Sequence, residues 1–161
     1  MVRLLFVCMG NICRSPTAEG VMAQLLRDEG LQDVVELDSA GTGGWHVGSP
    51  PDARATAAAR SRGITLSGAA RQVTIDDFEE FDLLLAADES NARDLRAIAP
   101  GDESRGKVAL LRSFDPKAVA AGDLDVPDPY YGGPDGFEDV LDLVDAACRG
   151  LLQSIRDDGL V

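Results

Sequence analysis

The chain has 161 residues, 45% of them hydrophobic, and a formal net charge of −13, which fits one domain with one core (1–161) and argues against nucleic acid as a partner. No apolar run is long enough to span a membrane and no basic-then-apolar leader opens the chain, so a soluble, cytoplasmic protein is expected. Three Cys and a single His, His46, argue against a disulfide framework, a multi-His metal site and a His-based triad, and neither metal nor other cofactor is expected.

Residues 2–7 form an apolar run, broken only by Arg3, that reads as a central strand buried on both faces. From Pro16 to about Arg27, helical spacing puts Ala18, Val21, Met22, Leu25 and Leu26 on one face, and Gly30 ends the segment. Residues 34–37 read as a second strand. They lead into Asp38-Ser39-Ala40-Gly41 and a Gly/Pro-rich loop as far as Pro51. An Ala-rich helix from about Asp52 to Arg62 is closed by Gly63. Thr74 and Asp77 have the spacing of a capping box for a short helix. Residues 83–87 are a third buried strand. Asp88 or Ser90 caps the next helix, which Pro100-Gly101 stops. Residues 108–111 are a fourth strand, and a long acidic loop follows from Arg112 to Gly133. Pro134 opens the last helix, whose stripe is Phe137, Val140, Leu141, Val144, Cys148, Leu151, Leu152 and Ile155. Strands alternating with helices predict an α/β fold with a parallel sheet covered on both faces, and a ligand site beyond the strand C-termini.

The segment between the first strand and the first helix has the most chemistry. Cys8 and Arg14 frame Met9, Gly10, Asn11, Ile12 and Cys13 as C-x5-R. Gly and Asn are the residue types that tolerate positive φ, so this turn can aim several backbone N–H groups at one anion. Ser15 is a good N-cap and Pro16 suits the first helical position, which adds the positive end of the helix to the same point. Helix N-termini and neighbouring Arg favour thiolates. Cys8 therefore reads as an activated nucleophile, with Arg14 as a bidentate holder of a tetrahedral oxyanion. With so acidic a chain, affinity for an anion has to arise within such a local site. The same residues also fit a plain strand-to-helix turn around a buried Cys.

Asp128 lies in Val-Pro-Asp-Pro-Tyr-Tyr, where prolines on both sides stiffen the backbone. A carboxylic acid there suits protonation of a leaving oxygen, and it equally suits an acidic turn. Trp45, Tyr130 and Tyr131 are large aromatics in polar loops, read either as a recognition surface or as a clasp on their own domain. Cys148, on the last apolar stripe, reads as a core filler.

VCMGNICRSPTAE resembles the active-site loop of the low-molecular-weight protein tyrosine phosphatases. The likeness continues, in the family's order, through DSAGTGGWHVGSPPDARA (38–55), ARQVTIDDFEEFDLLLAADESNARDL (70–95) and VPDPYYGGPDGFEDVLDLV (126–144). The resemblance implies one domain with a four-stranded, flavodoxin-like parallel sheet. It also implies hydrolysis of phosphotyrosyl proteins through a phosphocysteine intermediate, without a metal. By resemblance Cys8 is the nucleophile, and the loop Met9–Ser15 with Arg14 holds the phosphate. Asp128 acts as general acid and then base. Ser15 bonds the thiolate, and Asn11 is tied to Ser39. Trp45, Tyr130 and Tyr131 wall a crevice deep enough for a phosphotyrosyl ring, and Cys13 faces Cys8 as a redox partner. Arg54 and Asp88 match positions that support the fold. Implied partners are phosphotyrosyl proteins and a cognate tyrosine kinase, with inorganic phosphate as product inhibitor. One departure is present: the family often has a His just before the ARQ-type motif, whereas Ser67-Gly68-Ala69-Ala70 has none. Three other readings share parts of the pattern. A protein arginine phosphatase would carry Thr in place of Ile12 and lack the paired Tyr. An arsenate reductase would need relay cysteines, for which Cys148 is badly placed. A phosphate-sensing module would not need Asp128.

Overall fold

Strand β1, Val2–Cys8, is apolar on both faces because it lies inside the sheet rather than at an edge. In the computed structural model, which describes every residue except Tyr131 and Pro134, it pairs in parallel with β2, Val35–Gly41, and β3, Leu83–Ala86. Strand β4, Val108–Leu110, extends the sheet beyond β3, so the order is β2-β1-β3-β4. Alternate β1 side chains enter two separate cores. Leu4, Phe6 and Cys8 pack with helices α1, Arg14–Asp28, and α7, Asp135–Asp157. Leu5 and Val7 pack with Phe78 of α3, Asp77–Glu80, and with Ala92 and Leu95 of α4, Glu89–Ile98. The expected parallel sheet with helices on both faces is therefore present.

Helix α7 carries the predicted stripe, and all eight of its side chains are buried. Each large apolar side chain withdrawn from water stabilises by about 1.5–3 kcal/mol. Packing of this stripe against α1 therefore outweighs the differences in helix propensity along the helix. Its expected start at Pro134 lies outside the described residues.

Four local expectations change. Helix α1 begins at Arg14, with Cys13 at the N-cap position and no side-chain cap bond, so Ser15 is not a cap. Its hydroxyl is engaged elsewhere, as described below. Strand β2 continues to Gly41 because Asp38, Ser39 and Ala40 stay in register with Leu5, Phe6 and Val7. Only half of the capping box forms: the Asp77 carboxylate accepts from the Thr74 N–H at 2.8 Å, while the helix opens two residues beyond the expected cap with no side-chain cap. The expected 112–133 loop holds a 3-10 turn, Leu111–Phe114, and a helix, Pro116–Ala121. That helix follows from an Asp115 N-cap, Pro116 at the first position and Gly122 at φ +69°. The short helices Ala53–Arg60 (α2) and Asp102–Arg105 (α5) precede it, which makes it α6. Asp52 caps α2 and Asp88 caps α4 through their carboxylates.

The chain leaves β1 to one side for β2 and returns to the other side for β3. The C-termini of β1 and β3 thus flank a topological switch point, where the sheet leaves a crevice open. Cys8 ends one strand and Asp88 follows the other.

The 3-10 turn packs directly on α7 at Gly150, where a Cβ would stand 1.8 Å from the Phe114 carbonyl oxygen. Gly150→Ala is therefore expected to destabilise the protein by at least the ~1–3 kcal/mol typical of overpacking, despite the better helix propensity of Ala. Urea unfolding measures this, and an unchanged or raised midpoint would contradict the packing described.

Candidate active site

The turn from β1 into α1 closes around the Cys8 sulfur. Asn11 sits at φ +57°, the one non-glycine residue with positive φ among those described, and this sends its N–H back to Cys8 Sγ at 3.3 Å. Its side chain is 3% exposed and fully used. Nδ2 donates to Ser15 Oγ at 2.8 Å and to Ser39 Oγ at 3.0 Å. Oδ1 accepts the backbone N–H of Arg71 at 3.0 Å. A backbone N–H can only donate, so this bond fixes which end of the amide is oxygen. Ser15 Oγ lies 3.0 Å from Cys8 Sγ. Ser15 Oγ accepts from Asn11, and its hydroxyl is within reach to donate to a Cys8 thiolate. One amide N–H and one hydroxyl thus lie against the Cys8 sulfur, an arrangement that suits a thiolate.

The loop is also tied down from outside. The Ile12 carbonyl accepts the Asp52 N–H at 2.8 Å, and the Cys8 and Met9 carbonyls accept from Thr42 and Gly43 at 2.9 and 3.0 Å. The Thr17 hydroxyl donates to the Cys13 carbonyl at 2.7 Å. Asp52 and Arg71 were not singled out from the sequence as loop supports. Each contributes through its backbone, which side-chain identity does not report.

Arg14 is 4% exposed. Its Nη1 donates to Asp88 Oδ2 at 2.7 Å and to the Val126 carbonyl at 2.9 Å, which orients the guanidinium. Nη2 lies 3.7 Å from Asp128 Oδ2. Asp88 thus does two jobs, since its other oxygen caps α4 through the Asn91 N–H at 2.8 Å. The expectation of a supporting role for Asp88 becomes specific here: it grips the Arg of the loop.

Cys8, Ile12, Cys13, Arg14, Asp128 and Tyr130 line one solvent-open crevice of about 400 Å³, together with Met9, Gly10 and His46. Asp128 is partly exposed, and its Oδ1 accepts the Tyr130 N–H at 3.0 Å, which stiffens the turn further. The Tyr130 carbonyl accepts from Arg54 at 3.2 Å, and the Arg54 guanidinium stands 5.4 Å from the Tyr130 ring centroid. Arg54 is in turn held by the Asp52 carboxylate at 3.1 Å.

Trp45 departs from the expectation. It is 74% exposed, lies against Gly43 and is not part of the crevice lining. His46 takes that corner instead, its ring centroid 6.2 Å from that of Tyr130. A Cβ on Gly10 would come within 2.9 Å of His46 Cδ2, so Gly10 makes room for the imidazole. The sequence signal for His46 was its place beside Trp45 in a glycine-rich loop, but alternation of side chains there could not be read. Tyr131 lies outside the described residues.

The other two thiols are those of Cys13 and Cys148. Burial, then the Asp52 charge, pushes the Cys13 thiol up to about 12, so it is protonated at neutral pH. Cys148 is pushed up further by complete burial and by Asp145, and its Sγ faces the Ala18 carbonyl at 3.8 Å. It fills the core, away from the crevice lining. Gly68, in the segment just before the ARQ-type motif, sits at φ +87° and lines a polar pocket with Asn11, Glu19, Asp38 and Ser39. Among the described residues, no group of three or more His, Cys, Asp or Glu side chains is placed to hold a metal ion. No helix there is long and apolar enough to cross a membrane.

Removal of the Asn11 side chain leaves partners unmatched, which costs about 1–3 kcal/mol where the group is buried. Asn11→Ala is therefore expected to lower stability by that amount and to cut activity, whereas Asn11→Gly keeps the positive φ and loses less stability. Equal urea midpoints for Asn11→Ala and the parent would show that the carboxamide does not hold the loop.

The sequence profile of the family described as low molecular weight phosphotyrosine protein phosphatase matches residues 3–160. A low molecular weight protein-tyrosine-phosphatase of Streptomyces coelicolor is 54% identical over 155 residues, covering 96% of this chain and 94% of its own. Among solved structures, a protein tyrosine phosphatase from Entamoeba histolytica with Hepes in its active site superposes with a TM-score of 0.93 at 36% identity, covering 99% of each chain. A Drosophila arginine phosphatase superposes with a TM-score of 0.86 at 33% identity, covering 94% of this chain and 96% of its own. With the loop, the sheet order and these similarities together, the chain belongs to the low molecular weight protein tyrosine phosphatases, a family of hydrolases.

Proposed function

We propose that this protein hydrolyses phosphotyrosyl proteins through a phosphocysteine intermediate. The observation that carries the reading is the convergence of Cys8, Arg14 and Asp128 on one crevice, with the Asn11 N–H and the Ser15 hydroxyl against the Cys8 sulfur. Cys8 Sγ attacks phosphorus in line as the bond to the tyrosyl oxygen breaks. Asp128 delivers its proton to that oxygen, so tyrosine leaves neutral. The loop N–H groups and Arg14, already oriented by Asp88, stabilise charge on the equatorial oxygens without moving during the step. Asp128, now a carboxylate, takes a proton from water as it attacks phosphorus, and phosphate leaves with Cys8 restored as thiolate. Inorganic phosphate fits the same cradle and acts as a product inhibitor.

Preference for tyrosine rests on Ile12 and Tyr130, which line the crevice above Cys8. Similarity to an arginine phosphatase supports a second reading, because overall fold does not separate the two. Rates on phosphotyrosine and phosphoarginine do: faster hydrolysis of phosphoarginine overturns the choice of substrate.

Cys8→Ser should abolish turnover yet retain phosphate binding. Asp128→Asn should lower kcat by ~10²–10⁴ on poor leaving groups and much less on activated aryl phosphates. Turnover in the Cys8→Ser protein, or an equal loss across leaving groups for Asp128→Asn, would remove the respective role.

The reading includes redox protection by Cys13. Peroxide oxidises Cys8 to the sulfenic acid, and the Cys13 thiol condenses with it, forming the disulfide and releasing water. Because Cys13 is held as a thiol, peroxide attacks it slowly, and it remains available to capture the Cys8 sulfenic acid in competition with over-oxidation. Peptide mass mapping after mild peroxide should find Cys8 joined to Cys13. A link from Cys8 to Cys148, or full thiol rescue of a Cys13→Ser protein, would contradict it.

A further inference from the structure

Arg112 lies outside the crevice lining, yet it is bonded to the segment that carries Asp128. It stands in the 3-10 turn after β4 and is 6% exposed. Its Nη1 donates to the Asp125 carbonyl at 2.6 Å and lies 3.3 Å from the Asp123 carboxylate. Asp125 is held from its other side as well, because its Oδ1 accepts the Glu89 N–H at 3.0 Å. Val126 follows immediately. Its N–H donates to the Ala87 carbonyl at 2.7 Å, and its own carbonyl accepts from Arg14. Asp128 comes two residues later, between Pro127 and Pro129. Prolines on either side stiffen the backbone at Asp128, so the anchoring of the 123–126 segment bears on where its carboxyl stands.

Arg112 is a poor choice for stability alone. Burying a guanidinium carries a desolvation cost that pairing only partly offsets, and its Nε has no hydrogen-bond partner among the described residues. What the side chain secures is the place where the acid-bearing segment leaves α6 and crosses the end of the sheet. We infer that Arg112 is a positioning residue for catalysis: by anchoring Asp123 and Asp125 it sets the distance of the Asp128 carboxyl from the leaving oxygen. The inference rests on the reading of Asp128 as the acid. Arg112 itself touches neither substrate nor nucleophile.

The test is kcat and KM on a series of aryl phosphates, from activated to poor leaving groups. The proteins are the parent, Arg112→Met, Arg112→Lys, Asp128→Asn and the double variant Arg112→Met/Asp128→Asn. Misplacement of a reacting group by about 1 Å costs on the order of 10²-fold. Arg112→Met is therefore expected to lose about 10–10²-fold in kcat on the poorest leaving group and little on the best, with KM nearly unchanged. Arg112→Lys, which keeps a donor for the Asp125 carbonyl, should lose less with the same trend. In the double variant the Met substitution should add nothing to Asp128→Asn, because a displaced acid and a missing acid are equivalent. An unchanged kcat, a uniform loss across leaving groups, or a multiplicative loss in the double variant would overturn the proposal. Should Arg112→Met fail to fold, Arg112→Lys carries the same test, and a uniform loss or none overturns it. If Asp128→Asn shows no leaving-group dependence, the acid reading and this inference fall together. If it shows the dependence and the Arg112 variants do not, only this inference falls.

Discussion

The carboxamide of Asn11 is the constraint on which the site depends. A loop that aims its N–H groups inward toward one anion turns its carbonyls outward and needs a residue in the left-handed region at its centre. Asn tolerates that conformation at lower cost than other side chains. It also brings two donors and an acceptor, and all three are matched, by Ser15, Ser39 and Arg71. The loop is thereby tied to its own helix, to the end of β2 and to the segment after Gly68. The same arrangement holds the Ser15 hydroxyl against the Cys8 sulfur.

Electrostatics then work over a short range. The chain as a whole carries −13 and does not draw anionic substrates from a distance. Within the crevice the balance is local: the positive end of α1, the Asn11 N–H and one buried guanidinium. Arg14 is already paired with Asp88, so its charge is partly spent before substrate arrives. What the pair provides is a fixed orientation. A preorganised donor costs no reorganisation at the moment of reaction, which matters more than its nominal charge. The same logic explains why the acid-bearing segment is fastened at Asp125 and Val126, ahead of Asp128.

The loop itself was legible in the sequence because its requirements are local. A strand that ends at Cys8, Gly10-Asn11 at the turn and Pro16 in the first helical turn are consecutive signals. The pairing of Asn11 with Ser39 and the role of Ser15 came from resemblance, since no pattern in one sequence joins positions 28 residues apart. Ser15 illustrates the limit: by residue type it is a good cap, but tertiary bonds from Asn11 and Cys8 claim its hydroxyl, and the helix starts at Arg14 uncapped. Helix α6 was overlooked although its Asp-Pro start and Gly stop are both present, because acidic residues around it gave the whole stretch the look of a loop. Trp45 stands outside the crevice lining and His46 within it, because in a glycine-rich segment without periodicity neither residue's direction can be derived from sequence.

The sulfur of Cys8, held against the Asn11 N–H and the Ser15 hydroxyl, is the proposed acceptor of the phosphoryl group. Rapid acid quenching of the protein during turnover of a phosphotyrosyl peptide, followed by peptide mass mapping, tests it most directly. The expected result is a phosphate carried on the peptide that contains Cys8, absent before substrate is added and lost as turnover ends. Turnover with no covalent phosphate at any quench time, or a phosphate carried on a residue other than Cys8, would contradict it.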